Sequence, residues 1–355
     1  MTTSSFSDPR LVSDLAARIS SLGVKDVQLM EVCGTHTVSL ARHGVKSLLP
    51  SGIRVVSGPG CPVCVTSDSD LNLAFQAART EGATVATFGD MMKVPVGGIS
   101  LLDLRARGAD VKTVYSPFDV LSLPSRGTTV FFGVGFETTS PGVAALLREA
   151  CRRGVRDLCL ISCFKLIPPA LRAILSAGDT KIDGLILPGH VSTIIGTRPY
   201  EFLADEFDVP GVITGFEPVD LMMAIYALLK MIKDNKAALV NAYTRSVRPE
   251  GNQEALKLLG EYFEPADAEW RGLGRIPKSG LALRPEHSDY DAARRLRLVR
   301  TQLAEPSGCR CADVIRGAAL PTECPLFSKK CTPENPVGPC MVSSEGACAA
   351  YYDYG

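Results

Sequence analysis

The sequence lacks most of the features that would assign a familiar role. It has no excess of charge: 38 Lys and Arg stand against 38 Asp and Glu. The chain as a whole therefore offers no argument for binding nucleic acid or a membrane surface. Its opening residues, 1–10, hold no basic segment followed by an apolar run, which argues against a secretory signal. No apolar run approaches the ~20 residues needed to span a bilayer. The most apolar stretch, Leu221 to Ile232, is broken by Lys230 and reads as a buried helix. Walker A, G-x-G-x-x-G and G-x-S-x-G patterns are all missing, so nucleotide-binding and serine-hydrolase readings have no support.

What the chain has is sulfur. Six of its 12 cysteines fall in residues 309–355, in a polar stretch rich in Pro and Gly. That density is not ordinary core packing and requires disulfides or a metal centre. With no export signal, the expected compartment is the cytosol, where clustered cysteines bind metal or do redox work more often than they form structural disulfides. Cys151, Cys159 and Cys163 lie in or beside apolar segments and are expected to be small buried hydrophobes.

At 355 residues and 46% hydrophobic content, two or three domains are expected. Short β-branched runs alternate with helical patterns between about 25 and 235. The spacing predicts strands at Val27–Val32, Ile53–Ser57, Thr84–Phe88, Val111–Tyr115, Thr129–Val134, Leu158–Ser162, Leu185–Leu187 and Val212–Thr214. Helices are predicted at Ser69–Arg79, Pro141–Arg153 and Pro218–Lys233. Near-continuous apolar strands separated by helices indicate an α/β fold with parallel sheets covered on both faces. Two short echoes hint at a duplicated α/β domain: Val55–Cys61 with Leu185–His190, and Gly135–Thr139 with Gly215–Pro218. A boundary near Leu123–Gly127 divides the region, giving α/β domains at 10–125 and 126–235. Residues 236–355 read as a mostly helical, cysteine-rich module, with helices expected at Ala237–Thr244, Gln253–Tyr262 and Asp291–Leu303.

The tail reads Cys309-x-Cys311-x12-Cys324-x6-Cys331-x8-Cys340-x7-Cys348. Six thiols supply the four ligands of a cubane iron–sulfur cluster and leave two over, without saying which four bind. The paired Cys-x2-Cys knuckles of a zinc ribbon are not there, which disfavours structural zinc. Cys61-Pro-Val-Cys64 sits between a strand and a helix opening near Ser67-Asp68; a thiol there feels the positive helix end, and the spacing permits a reversible disulfide or a shared metal. Cys33-Gly-Thr-His36 follows the first strand. Ligands of open parallel sheets collect at the carboxyl ends of strands, so Cys33, Cys61, Cys64 and His36 are expected to converge on iron, copper(I) or zinc. A Cys–His nucleophile pair is the alternative. Ser140 and Pro141 read as a capped helix start, with Glu137 before them as a proton donor or supporting base. His190 occupies the same kind of strand-end position.

Taken together, Met30–Thr37, Gly58–Thr66, Gly135–Thr139, Pro188–Val191 and Gly338–Cys348 closely resemble the HypD family of nickel–iron hydrogenase maturation factors, from about residue 10 to the terminus. The resemblance implies an assembly scaffold rather than a metabolic enzyme. Its partners would be a small chaperone, HypC; HypE as cyanide donor, working with HypF; and, indirectly, the hydrogenase large subunit. The cargo would be iron carrying two cyanides and one carbon monoxide, Fe(CN)2CO. By the same resemblance Cys33 is the iron-holding thiolate, with His36 in its motif, and Cys61/Cys64 are the redox-active pair. A 4Fe-4S cluster is implied on Cys309, Cys324, Cys331 and Cys348, with Cys311/Cys340 as a dithiol relay. Cyanide and carbon monoxide bind electron-rich iron, so soft thiolates beside an electron source suit the task. A cluster-dependent thiol–disulfide reductase, or a zinc-held interaction module, would share much of this sequence pattern.

Overall fold

The computed structural model describes residues 6–124, 127–178, 180–301, 303 and 307–355. Among the described residues eleven strands are formed: β1 (Val27–Glu31), β2 (Ile53–Ser57), β3 (Ala83–Phe88), β4 (Val111–Val114), β5 (Thr128–Gly135), β6 (Leu158–Phe164), β7 (Gly184–Pro188), β8 (Gly211–Thr214), β9 (Leu239–Asn241), β10 (Phe263–Trp270) and β11 (Gly274–Leu283). The eight strands expected from apolar runs are β1 to β8. With β9 they build an α/β fold of two all-parallel sheets, one of five strands in the order β2-β1-β7-β8-β9 and one of four in the order β4-β3-β5-β6.

This pairing cuts across the expected division at Leu123–Gly127, of which Ser125 and Arg126 lie outside the described residues. β1 and β2 join β7, while β3 to β6 form a sheet of their own. The smaller sheet is thus inserted between the second and third strands of the larger one. Numbered within each sheet, both run second, first, third, fourth, a shared topology. The two short echoes do not follow it. Val55–Cys61 and Leu185–His190 extend β2 and β7 of one sheet, and Gly135–Thr139 and Gly215–Pro218 follow a third and a fourth strand.

Helix Pro218–Lys233 forms as expected and buries Leu221, Met222, Ala224, Ile225, Leu228 and Leu229 against the larger sheet. Among the described residues no helix is long and apolar enough to cross a membrane. Helix Ser140–Arg153 has Thr139 at its N-cap position with no side-chain capping bond, and Ser140, its first residue, has a buried hydroxyl without a partner. Cys159 and Cys163 are buried as expected; Cys151, on the outer face of that helix, is exposed.

The third region is less helical than its sequence suggests. Residues 237–244 contain β9 instead of a helix, because Leu239–Asn241 completes the edge of the larger sheet. Of Asp291–Leu303 only Ala292–Arg295 is helical, and Gln302 lies outside the described residues. Gln253–Tyr262 is a helix as expected. It leads into an antiparallel hairpin, β10–β11, which the sequence reading did not anticipate. Trp270 closes β10: it is buried, stacks on Phe136 at a centroid distance of 6.1 Å, and donates from Nε1 to Ser279 Oγ at 2.8 Å. The hairpin is thereby clamped beyond the carboxyl end of β5.

Candidate functional site

β1 and β7 are neighbours, yet the chain leaves them in opposite directions, towards β2 and towards β8. A crevice opens at the carboxyl ends of such a strand pair. Cys33 continues β1 into it, and His190 continues β7.

Cys33 is extended (φ −151°, ψ 122°) and precedes helix Gly34–Arg42. Its backbone N–H donates to Glu31 Oε2 at 3.0 Å, and the Thr37 hydroxyl donates to Glu31 Oε1 at 2.5 Å. Glu31 is wholly buried; burial raises its pKa, while Thr37, the Cys33 N–H and Ser57 pull it down. Burial likewise pushes the Cys33 thiol up to about 12, against the His36 backbone N–H and with help from the Glu345 and Glu31 charges. The free thiol therefore keeps its proton at neutral pH.

The second motif is held directly against the first. Gly34 N–H donates to Gly60 O at 2.8 Å. A Cβ on Gly60 would stand 2.3 Å from Cys33 N, so glycine alone lets the loops touch. Cys61 and Cys64 form a disulfide across the four-residue helix Pro62–Val65. A cavity beside it is lined by Thr37, Ser57, Cys61, Cys64, Cys340 and Glu345. Glu345 comes from the tail and accepts the Thr35 hydroxyl at 3.0 Å, tying the tail to the Cys33 helix.

Cys340 also lines a second cavity, together with Cys309, Cys311, Cys324, Cys331 and Cys348. Cys311 Sγ and Cys340 Sγ are 2.8 Å apart. Hydrogen bonds from Cys309 and Cys340, and the buried Arg271 guanidinium, hold Cys311 well below the usual thiol range. Arg271 is itself anchored on Asp68 and sits in the β10–β11 turn, its backbone N–H on Val65 O at 2.8 Å. Among the described residues no trio of ligand side chains is gathered tightly enough for a single metal ion. A cubane instead spreads four thiolates around a cage. Six thiols without a competing carboxylate or imidazole suit that group. So does Gly338, where a Cβ would press within 3.2 Å of Cys309 Sγ.

Not every expected residue joins Cys33. Burial lowers the His36 pKa to about 4, so the ring is neutral. Its Nε2 lies 3.0 Å from Gly215 O, which assigns the proton there, and Nδ1 has no partner. The ring packs on Phe216 at 4.9 Å, and His190 stacks on Phe216 at 3.8 Å, so the two imidazoles share one aromatic layer. Glu137 is buried beyond β5, with Oε1 accepting Ile167 N–H at 2.9 Å and Oε2 unpartnered. Burial raises its pKa to about 7 against two backbone hydrogen bonds.

The sequence reading did not single out Glu31, Glu345, Arg271 or Phe216. An acid inside the apolar run Val27–Val32 was the one available signal for Glu31. The others are recognisable only from their neighbours in space.

Residues 10–355 match the model of the HypD family, described as the hydrogenase formation hypA family. The chain is 42% identical over 363 residues to the hydrogenase maturation factor HypD of Cupriavidus necator, covering 99% of this chain and 96% of that protein. It is equally similar, with the same coverage, to HypD of Azotobacter vinelandii. Identity to HypD of Rhodobacter capsulatus is 40% over 367 residues, covering 99% of this chain and 97% of the relative. Matched to its relatives over nearly its whole length, the chain belongs to the HypD family of hydrogenase maturation factors.

Proposed function

We propose that this maturation factor is a scaffold on which one iron atom, held by Cys33 together with a HypC-type chaperone, receives two cyanides and one carbon monoxide. HypE, working with HypF, would deliver the cyanide, and the finished Fe(CN)2CO unit would pass to the hydrogenase large subunit. The observation that carries this reading is the placement of the cysteines: the Cys33 backbone abuts Gly60 of the Cys61–Cys64 loop, and Cys340 lines both the cavity beside that disulfide and the six-cysteine cavity.

In this reading Cys309, Cys324, Cys331 and Cys348 hold a 4Fe-4S cluster, which when bound supplies electrons one at a time. The close pair Cys311 and Cys340 then serves as the dithiol. Cys340, which lines the cavity beside the disulfide, is placed to attack it; exchange through a mixed disulfide would leave Cys61 and Cys64 as thiols and the Cys311–Cys340 pair oxidised. Reduced Cys61 and Cys64 would add soft donors beside Cys33. The test is the infrared spectrum of the anaerobically purified complex with its small chaperone. Cyanide and carbon monoxide stretching bands are expected, and they should vanish in Cys33→Ala. Undiminished bands in that variant would remove Cys33 from the role.

A further inference from the structure

The tail between Cys340 and Cys348 lies across both sheets. Its ends are two of the six cysteines that line one cavity. Between them the chain reaches the carboxyl end of a strand in each sheet. Ser343, 2% exposed, donates its hydroxyl to Asp90 Oδ2 at 2.8 Å, just beyond β3 of the smaller sheet. Two residues on, Glu345 Oε1 accepts the Thr35 hydroxyl at 3.0 Å, beyond β1 of the larger sheet. β1 and β3 hold equivalent places in the two sheets, so one short segment straps together matching strand ends.

The strap presses on the residue next to Cys33. A Cβ on Gly34 would stand 2.4 Å from Glu345 Cβ, while the Gly34 N–H is bonded to Gly60 O at 2.8 Å. Gly34 is thus held between the tail and the Cys61–Cys64 loop. The strap also folds back on its own start: Gly346 N–H donates to Ser343 O at 2.9 Å, and a Cβ on Gly346 would stand 2.2 Å from Cys340 O. Beyond it the helix Ala347–Tyr354, which carries Cys348, packs on helix Gly34–Arg42. Lys46, shortly after that second helix, donates to the Tyr351 hydroxyl at 2.9 Å.

We propose that Glu345 is a positioning residue for Cys33, and that the strap it belongs to makes the Cys33 site depend on a loaded tail. The inference rests on the function proposed above and deepens it by naming what regulates the site. A metal centre held by cysteines contributes its binding free energy to the fold around it. The strap has only seven residues between Cys340 and Cys348, so the seating of those two cysteines determines where Glu345 sits. Contact with Cys311 holds one end, the two sulfurs 2.8 Å apart. Ligation through Cys348 would hold the other, keeping Glu345 on Gly34 and Thr35. In an empty tail that second anchor is lost, and local opening of the strap frees the start of the Cys33 helix. Loading of the tail therefore precedes loading of Cys33, and a chain without its electron source is kept from taking cargo.

The experiment uses the full chain, purified anaerobically without its chaperone so that Cys33 is free. Thiols are labelled with iodoacetamide before and after a chelator strips the tail, and each cysteine is read by peptide mass spectrometry. In the unaltered chain stripping should speed labelling of Cys33 several-fold, while Cys163, buried in the smaller sheet, stays protected. Glu345→Ala should label fast at Cys33 even with its sulfide retained. Stripping should then add little, because both changes remove the same contact. Glu345→Gln still accepts from Thr35 and should respond to stripping as the unaltered chain does. Ser343→Ala frees the strap from Asp90 without touching the Cys33 helix. It should also speed labelling of Cys33 in loaded protein, so the proposal is tested even if Glu345→Ala does not accumulate. Cys33 labelling unmoved by stripping, a Glu345→Ala chain that responds like the unaltered one, or exposure of Cys163 together with Cys33 would each overturn the proposal. Anaerobic protein without sulfide would instead overturn the cluster reading on which it rests.

Discussion

Glu31 Oε2 accepts the backbone N–H of Cys33 at 3.0 Å, so the last residue of a central strand fixes the peptide that carries the thiol. Replacing Glu31 by Ala strips this N–H of its partner and leaves the Thr37 hydroxyl only its longer bond to Cys33 O at 3.3 Å. An orphaned buried group costs about 1–3 kcal/mol, and a loss of that size is expected. Glu31→Gln still accepts one bond and should lose about 1 kcal/mol. Urea midpoints of the three proteins measure the difference; equal midpoints would show that the carboxylate does not hold the peptide.

Gly60→Ala places a methyl group against Cys33 N. The two loops must separate, breaking the Gly34–Gly60 hydrogen bond at a cost of about 1–3 kcal/mol. The complex with the small chaperone should retain less iron, while sulfide bound by the tail is unchanged. Full iron retention would show that contact between the loops is dispensable.

The pH dependence of stability should carry the signature of Glu137. Its pKa in the folded protein, about 7, lies above the ordinary 4.5, so the native state binds the proton more tightly. Its contribution is complete below pH 4.5 and is lost as the pH rises through 7. Glu137→Gln removes that loss while still accepting from Ile167. The variant should gain on the unaltered protein between pH 4.5 and 7, reaching about 3 kcal/mol at most. Thermal midpoints across this range provide the check, and parallel curves for the two proteins would count against a buried, proton-holding carboxyl.

The six tail cysteines should separate into two classes. Cys324→Ser is expected to lose both the brown colour and the sulfide of anaerobic preparations. Cys340→Ser should keep both, yet leave Cys61 and Cys64 oxidised when a low-potential donor is added. Thiol counts with iron and sulfide analysis resolve the outcomes. Loss of sulfide in Cys340→Ser would move that residue among the ligands.

Residues with a direct local signal were legible in the sequence. β5, with Val130–Val134 almost free of polar side chains, stands out as a buried strand, and the motifs at Cys33 and Cys61 mark strand ends. Sheet membership was not legible, because the pairing of β1 with β7 joins strands separated by the whole smaller sheet, and nothing in either strand encodes it. The β10–β11 hairpin was hidden by Pro265, Pro277 and the charges between them, its anchor being one tryptophan against a distant phenylalanine. His36 was expected beside the sulfurs; sequence adjacency placed it there, but Gly215 and Phe216, from another strand end, draw its ring away.

β1 has a hydrogen-bonded strand on either side, β2 and β7. An interior strand of this kind has little freedom to shift or fray, since any displacement must break two ladders at once. In the scaffold role proposed above, the anchoring point for iron would therefore be stationary. On that reading, the guest protein and the surrounding loops would accommodate any cargo, while the docking sulfur stays where the sheet has put it.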